Sequence, residues 1–307
     1  MQQLIDRAVV EVGKVLLGKE QQIRLALCCL LAKGHLLLED LPGMGKTTLS
    51  NALARVLGLE YKRVQFTSDL LPADILGGSI FDRDAAAFKF IPGPIFTQVL
   101  LADEINRTTP KTQSALLEAM EEGRVTIDAQ TKDLSQPFFV IATQNPATQS
   151  GTYPLPESQL DRFLMRLSLG YPDRDAERKL LVGDNNQQGL GSIQQMISAS
   201  EWVDIQAAVQ DIHCSDSLLD YVQRLVEFTR LSDMFSSGLS PRAAMALVRC
   251  AKTWALMAGR EHVVPEDVQV VFLAVAEHRL SSAMDQSSSS SGAAQRVLEA
   301  VPVIAWV

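Results

Sequence analysis

The sequence is poor in the residues that staple small secreted domains or build metal centres. Only four cysteines and four histidines occur in 307 residues. Cys28 and Cys29 are adjacent, Cys214 and Cys250 stand alone, and the absence of any C-x-x-C pair argues against zinc or dithiol redox chemistry. The four thiols read as buried, reduced groups of a cytosolic protein. His35, His213, His262 and His278 fall at no ligand spacing. Aromatics are scarce at 6%, and Lys plus Arg (28) fall below Asp plus Glu (36), for a formal net charge of −8. A dedicated nucleic-acid binder would show basic and aromatic clusters instead. No long apolar run is present. The segment 25–32 lies between Arg24 and Lys33 and is too short to span a bilayer. Asp6 and Arg7 interrupt the start before any signal-like stretch. There is no internal repeat. The expectation is a soluble, cytoplasmic protein; the chain is 47% hydrophobic and longer than one small domain needs.

The first half alternates short apolar runs with helical spacing, the pattern of an α/β domain. Candidate strands are 35–39, 61–66, 95–102, 138–143 and 165–169. None shows clean polar alternation, so all five read as strands covered on both faces. A helix is marked by Thr109 as cap, Pro110 in its first turn and Gly123 at its end, with Leu116, Leu117 and Met120 on one face. After Pro172 the strand-like runs vanish. Leu218, Leu219, Val222, Leu225, Val226 and Thr229 form a helical stripe. A further helix opens at Ser240-Pro241, with Leu247, Cys250, Ala251 and Trp254 along one face, and another begins near Pro265. The division expected is an α/β core over residues 1–180 and a smaller all-helical domain over 190–307. Within the latter a serine-rich loop spans 285–292, and the apolar segment 297–307 packs back onto the helices.

Leu36-Leu37-Leu38-Glu39 leads into Asp40-Leu41-Pro42-Gly43-Met44-Gly45-Lys46-Thr47-Thr48, a strand, a glycine-rich turn and a helix. Backbone N–H groups converging at a helix N-terminus suit a phosphate. Gly43 and Gly45 let the chain curl, Lys46 would reach the β- and γ-phosphates of ATP, and the Thr47 hydroxyl would ligate Mg²⁺. Asp40 stands where the generic P-loop has glycine. A second strand, Val99-Leu100-Leu101-Ala102, ends in Asp103-Glu104. Paired carboxylates at the carboxyl edge of a buried strand fit Asp103 holding Mg²⁺ through water and Glu104 orienting or deprotonating the attacking water. The fold class is therefore a P-loop αβα sandwich on a parallel five-stranded sheet, followed by an all-α lid.

From Leu100 through Asp103-Glu104-Ile105-Asn106-Arg107-Thr108, and on from Lys111 to Glu122, the sequence resembles the MoxR family of AAA+ ATPases. Ala142-Thr143-Gln144-Asn145-Pro146 resembles sensor 1, Leu160-Asp161-Arg162-Phe163 the arginine-finger region, and Leu239-Ser240-Pro241-Arg242-Ala243 sensor 2. The matches run from about Gly18 to Leu280.

The resemblance implies roles. Asn145 would place the lytic water. Arg162 would project toward a neighbour's nucleotide, with Arg166 as rival, and Arg242 would reach the γ-phosphate from the lid. Gly18-Lys19 resembles the segment that cradles adenine. Arg107 either contacts a neighbour or pairs with Glu104. Segments 70–94 and 125–136 fall where the family inserts a loop or hairpin; in the second, Gln130-Thr131-Lys132-Asp133 is read as the turn. A homohexameric ring, a client protein and a von Willebrand factor A domain partner are implied, with client remodelling, metal insertion or complex assembly as the task. The alternatives are a nucleic-acid motor or loader of the same superfamily, a nucleotide-gated binding module with little turnover, and a magnesium-chelatase-like subunit.

Overall fold

The computed structural model describes residues 1–84, 86–145, 152–182, 189–282 and 292–304. Its strands are β1 (Leu36–Glu39), β2 (Tyr61–Gln65), the hairpin β3 (Gly77–Asp82) and β4 (Ala87–Pro92), β5 (Val99–Asp103), the hairpin β6 (Arg124–Ile127) and β7 (Gln130–Asp133), β8 (Phe139–Gln144) and β9 (Met165–Leu167). Five of these form one parallel sheet in the order β2-β5-β8-β1-β9. The register pairs Glu39 with Gln144 and Gln65 with Asp103, so the polar strand ends share the carboxyl edge.

Strand alternation divides the core into two layers. Leu36, Leu38, Val99, Leu101, Phe139 and Ile141 face one side, and Leu37, Leu100, Ala102, Val140 and Ala142 the other. The first side is covered by α1 (Gln2–Gly13), α2 (Glu20–Leu31) and α3 (Lys46–Val56); the second by α4 (Pro72–Leu76) and α5 (Pro110–Glu122). Each fully buried Leu, Ile or Phe contributes about 1.5–3 kcal/mol, which is how three successive leucines of modest strand propensity hold a central strand. The strand 61–66 is not covered on both faces. It is the edge strand β2, and its Arg63 and Gln65 are exposed because no further strand or helix closes that edge. The run at 95–102 becomes a strand only from Val99; before it, Phe96 and Thr97 turn back on Gly93 and Ile95 through backbone bonds.

After the short α6 (Glu157–Leu160), β9 and α7 (Arg174–Val182), the chain is mainly helical: α8 (Ala199–Asp211), α9 (Asp216–Leu231), α10 (Pro241–Met257), α11 (Pro265–Ala276) and α12 (Ala293–Ala300), with one small antiparallel pair, β10 (Phe235–Ser237) and β11 (Ser281–Ser282), which the helical spacing did not announce. Ser240 caps α10 by accepting the Ala243 N–H at 3.1 Å, and Pro241 starts it. These helices share a continuous apolar cluster with α1 and α2, and α11 packs along β9. Trp202 of α8 lies edge-on to Phe139 at the start of β8, at 5.4 Å. The segment 70–94 forms α4 and the β3–β4 hairpin. In the 124–133 hairpin the turn is Asp128-Ala129, both at positive φ, and Gln130–Asp133 is strand, not turn. The serine run and residues 305–307 lie outside the described residues.

Candidate functional site

The phosphate loop follows β1 and feeds α3. Gly43 and Gly45 sit at φ +85° and +89°, where other residues are strained, and nothing lies within 4 Å of a side chain built on Gly43. The first intrahelical bond of α3 is Leu49 N–H to Gly45 O at 2.9 Å, and no side chain caps the helix. The amides of Lys46, Thr47 and Thr48 are therefore unclaimed by helix or cap, as an anion site requires. Pro42 and Gly43 are exposed; Met44, Gly45, Thr47 and Thr48 are half-buried.

Lys46 is buried, and its ammonium donates to the carbonyls of Asp40 and Leu41 and, at 3.3 Å, to Asn145 Oδ1. Burial draws its pKa below the ordinary value, against the opposing pull of Asp40, Asp103, Glu104 and Glu39. Asn145 turns its amide nitrogen to Glu104 Oε1 at 3.0 Å, and so joins the lysine to the acid. Glu104 adopts φ 57°, ψ 49°, a left-handed conformation costly for a non-glycine residue. Thr143 fixes it there: its hydroxyl accepts the Glu104 N–H at 2.8 Å and donates to Asp103 Oδ1 at 2.6 Å. Lys46, Asp103, Glu104 and Asn145 thus form one hydrogen-bonded group at the carboxyl edge.

Asp40 joins this group through its backbone carbonyl alone, and its side chain turns elsewhere. Its carboxylate accepts the N–H groups of Leu169 and Gly170 and the Ser168 hydroxyl at 2.8 Å, tying the start of the loop to the exit of β9. A carboxylate replaces the generic glycine because it closes this crossing. Gly18 (φ +67°) and Lys19 also border the site. A side chain on Gly18 would strike Asp173, one on Gly45 would strike Leu16, and Lys19 Nζ donates to Tyr171 O at 2.5 Å. The 14–19 segment is thereby wedged between the phosphate loop and residues 171–176.

The arginines are placed elsewhere. Arg162 and Arg242 share Glu121, at 3.2 Å and 2.9 Å, one on each carboxylate oxygen. They line a cleft of ≈ 400 Å³ with Lys33, His35 and Arg249. Lys33 and His35 precede β1, whereas the phosphate loop follows it. At about 3.3 Å per residue the five steps from His35, before the strand, to Asp40, after it, span about 16 Å. The reach of Arg242 from the lid to its own chain's γ-phosphate is corrected by this geometry: α10 packs on α2 and α8 and presents Arg242 at the amino edge of the sheet. Arg166 is separate from both, paired with Glu39 at 3.0 Å. Arg107 pairs with Glu104 at 3.1 Å.

Several neighbours escaped the sequence reading. Arg63 binds Asp103 Oδ2 at 2.6 Å, and Gln65 donates to Glu104 Oε2 at 2.8 Å. Their signal was two polar residues at i and i+2 near the end of a strand. Glu121 and Arg279 carried none, because their partners lie far off in sequence.

The donor set fits Mg·ATP. Thr47 and Asp103 offer hard oxygens, the kind magnesium prefers, and the uncapped α3 amides beside Lys46 suit phosphate. Among the described residues no group of three or more His, Cys, Asp and Glu could hold a metal ion.

Residues 35–165 match the model of the ATPase family associated with various cellular activities (AAA), and 227–300 the AAA lid domain. YeaC of Bacillus subtilis is 46% identical over 90% of this chain and 87% of its own length. Chaperone MoxR1 of Mycobacterium tuberculosis is 39% identical, over 90% of this chain and 75% of its own. The crystal structure of an ATPase candidate from Cytophaga hutchinsonii superposes with TM-score 0.88 at 36% identity, covering 98% of this chain and 95% of that one. Sequence, fold and the grouping at the sheet edge agree: the chain belongs to the MoxR family of AAA+ ATPases.

Proposed function

We propose that the chain hydrolyses ATP in a closed homomeric ring, six copies by family resemblance, each site being completed by the next subunit. The observation that carries this is the separation of two half-sites on one chain. Lys46, Thr47, Asp103, Glu104 and Asn145 occupy the carboxyl edge, while Arg162 and Arg242 lie at the amino edge, out of reach of their own phosphate loop. A heterologous contact that repeats around a ring brings the two together.

Within a site, the loop amides and Lys46 hold the triphosphate, and Gly18-Lys19 borders the adenine end. Thr47 and Asp103 would hold magnesium, which would supply charge neutralisation and alignment of the phosphates. Glu104 orients and deprotonates the attacking water, with Asn145 and Gln65 fixing its carboxylate. The neighbour's Arg162 and Arg242 leave Glu121 and neutralise charge on the transferring phosphoryl group, a contribution of about 10³–10⁵ in rate in comparable enzymes.

The cycle serves the remodelling of client proteins in the cytoplasm. The mycobacterial relative is named a chaperone, which supports this reading, and no described helix is long and apolar enough to cross a membrane. Maturation by metal insertion or complex assembly, with a von Willebrand factor A domain protein as partner, is the form the family resemblance favours. The β3–β4 hairpin, with Phe81 and Phe88 exposed, and the β6–β7 hairpin are the elements offered to the pore or the partner. The acidic balance disfavours a nucleic-acid motor.

Glu104→Gln tests the reading. By calorimetry it should bind Mg·ATP as the wild type does while turnover falls below about one hundredth, and Lys46→Ala should bind none. Unchanged turnover in Glu104→Gln would favour a binding module instead.

A further inference from the structure

The Arg279 side chain is only 5% exposed yet charged, a costly arrangement unless fully paired. It ends the short turn after α11, on the lid side of the molecule. Its partners lie in the segment that carries Arg162. Nε donates to Asp161 Oδ1 at 2.6 Å, Nη2 to the carbonyls of Asp161 at 3.2 Å and Phe163 at 2.6 Å, and Nη1 to that of Leu164 at 3.2 Å. The remaining contact is its own helix, at Val275 O. His278, one residue earlier, also meets Phe163 O at 3.1 Å. The residues on both sides of Arg162 are thus gripped by one lid guanidinium, while Arg162 itself stays partly exposed and is paired with Glu121 at 3.2 Å. A planar five-donor fork suits this task, since it fixes several acceptors in one plane.

We propose that Arg279 is a positioning residue for Arg162, making the seating of the lid on the core a condition for hydrolysis in the adjacent subunit. The proposal rests on the trans-arginine reading above. A lid that shifts carries Arg279 with it, and the loop bearing Arg162 moves as one body with the lid. Arg242, on lid helix α10 and bridged to Arg162 through Glu121, moves in concert.

Arg279→Lys keeps the charge and loses the fork. Asp161→Asn, at a more exposed position, keeps the shape and removes the ion pair. In full-length protein each should leave the affinity for a fluorescent ATP analogue within about twofold and lower kcat ~10-fold or more, the scale of an ångström-level misplacement. Each is then mixed with Glu104→Gln, which cannot turn over but supplies intact arginines. Turnover should rise well above either pure variant, because the damaged loop acts on the neighbour's site and not its own. Arg162→Ala mixed with Glu104→Gln is the control. Rescue of Arg162→Ala without rescue of Arg279→Lys or Asp161→Asn overturns the positioning role. Rescue of none overturns the trans reading on which it stands. Should Arg279→Lys melt early, Asp161→Asn decides alone, and wild-type kcat in that variant also overturns the proposal.

Discussion

Asn145 touches both the Lys46 ammonium and the Glu104 carboxylate, and Thr143 holds both Asp103 and the Glu104 backbone. Two neutral side chains on β8 and at its end therefore set the geometry of the charged ones. Thr143→Val keeps the shape but strands a buried carboxylate oxygen and a buried N–H. The expected cost is about 1–3 kcal/mol in urea unfolding, with a fall in kcat larger than any change in KM. His35 reports on stability at a second place. Its Nδ1 accepts the Val140 N–H at 3.0 Å and its Nε2 meets Met120 O, so the ring is neutral, and burial lowers its pKa to about 4. Above pH 6.5 the ring is neutral in both states and the contribution is complete. Between pH 6.5 and 4 the unfolded chain takes up the proton first, and stability falls by about 1.4 kcal/mol per pH unit. Below pH 4 the loss levels off. His278, also depressed by burial, acts in the same direction. Urea midpoints measured at pH 7 and pH 5 should drop for the wild type and drop less for His35→Gln.

Among the elements, the legible ones were those whose period or punctuation was strong. The α5 helix begins and ends as Pro110 and Gly123 dictate, and the other four strands of the sheet, β5, β8, β1 and β9, emerge from apolar runs near their expected places. β2 was misjudged because an edge strand and a buried strand differ in neighbours, which composition does not record. The second hairpin was shifted by two residues, since Asp128-Ala129 is weaker turn chemistry than the polar run beside it, yet it alone takes positive φ. Asp40 shows the same limit in reverse. Taken alone it departs from the phosphate-loop pattern; in three dimensions it grips Ser168, Leu169 and Gly170. Asp40→Ala should lower stability by about 2–3 kcal/mol in denaturant titration, and Asp40→Gly, though closer to the generic motif, should not tighten ATP binding.

For the whole molecule, the phosphate loop and the acidic strand end could be placed from sequence because the loop after a parallel strand always opens at its carboxyl edge. The position of the lid could not. It depends on the burial of α8, α10 and α11 against α2 and β9, long-range packing that no local motif encodes, and this packing puts Arg242 beside Arg162 at the amino edge. With the arginines at the opposite edge from the phosphate loop, one active site must be shared by two chains. The direct test is the steady-state ATPase rate of an equimolar mixture of Glu104→Gln and the Arg162→Ala/Arg242→Ala double variant. Each pure protein should be inactive, and the mixture should recover about a quarter of the wild-type rate, the share of interfaces that random assembly makes whole. A mixture as inactive as its parts, or a pure double variant that turns over normally, would contradict it.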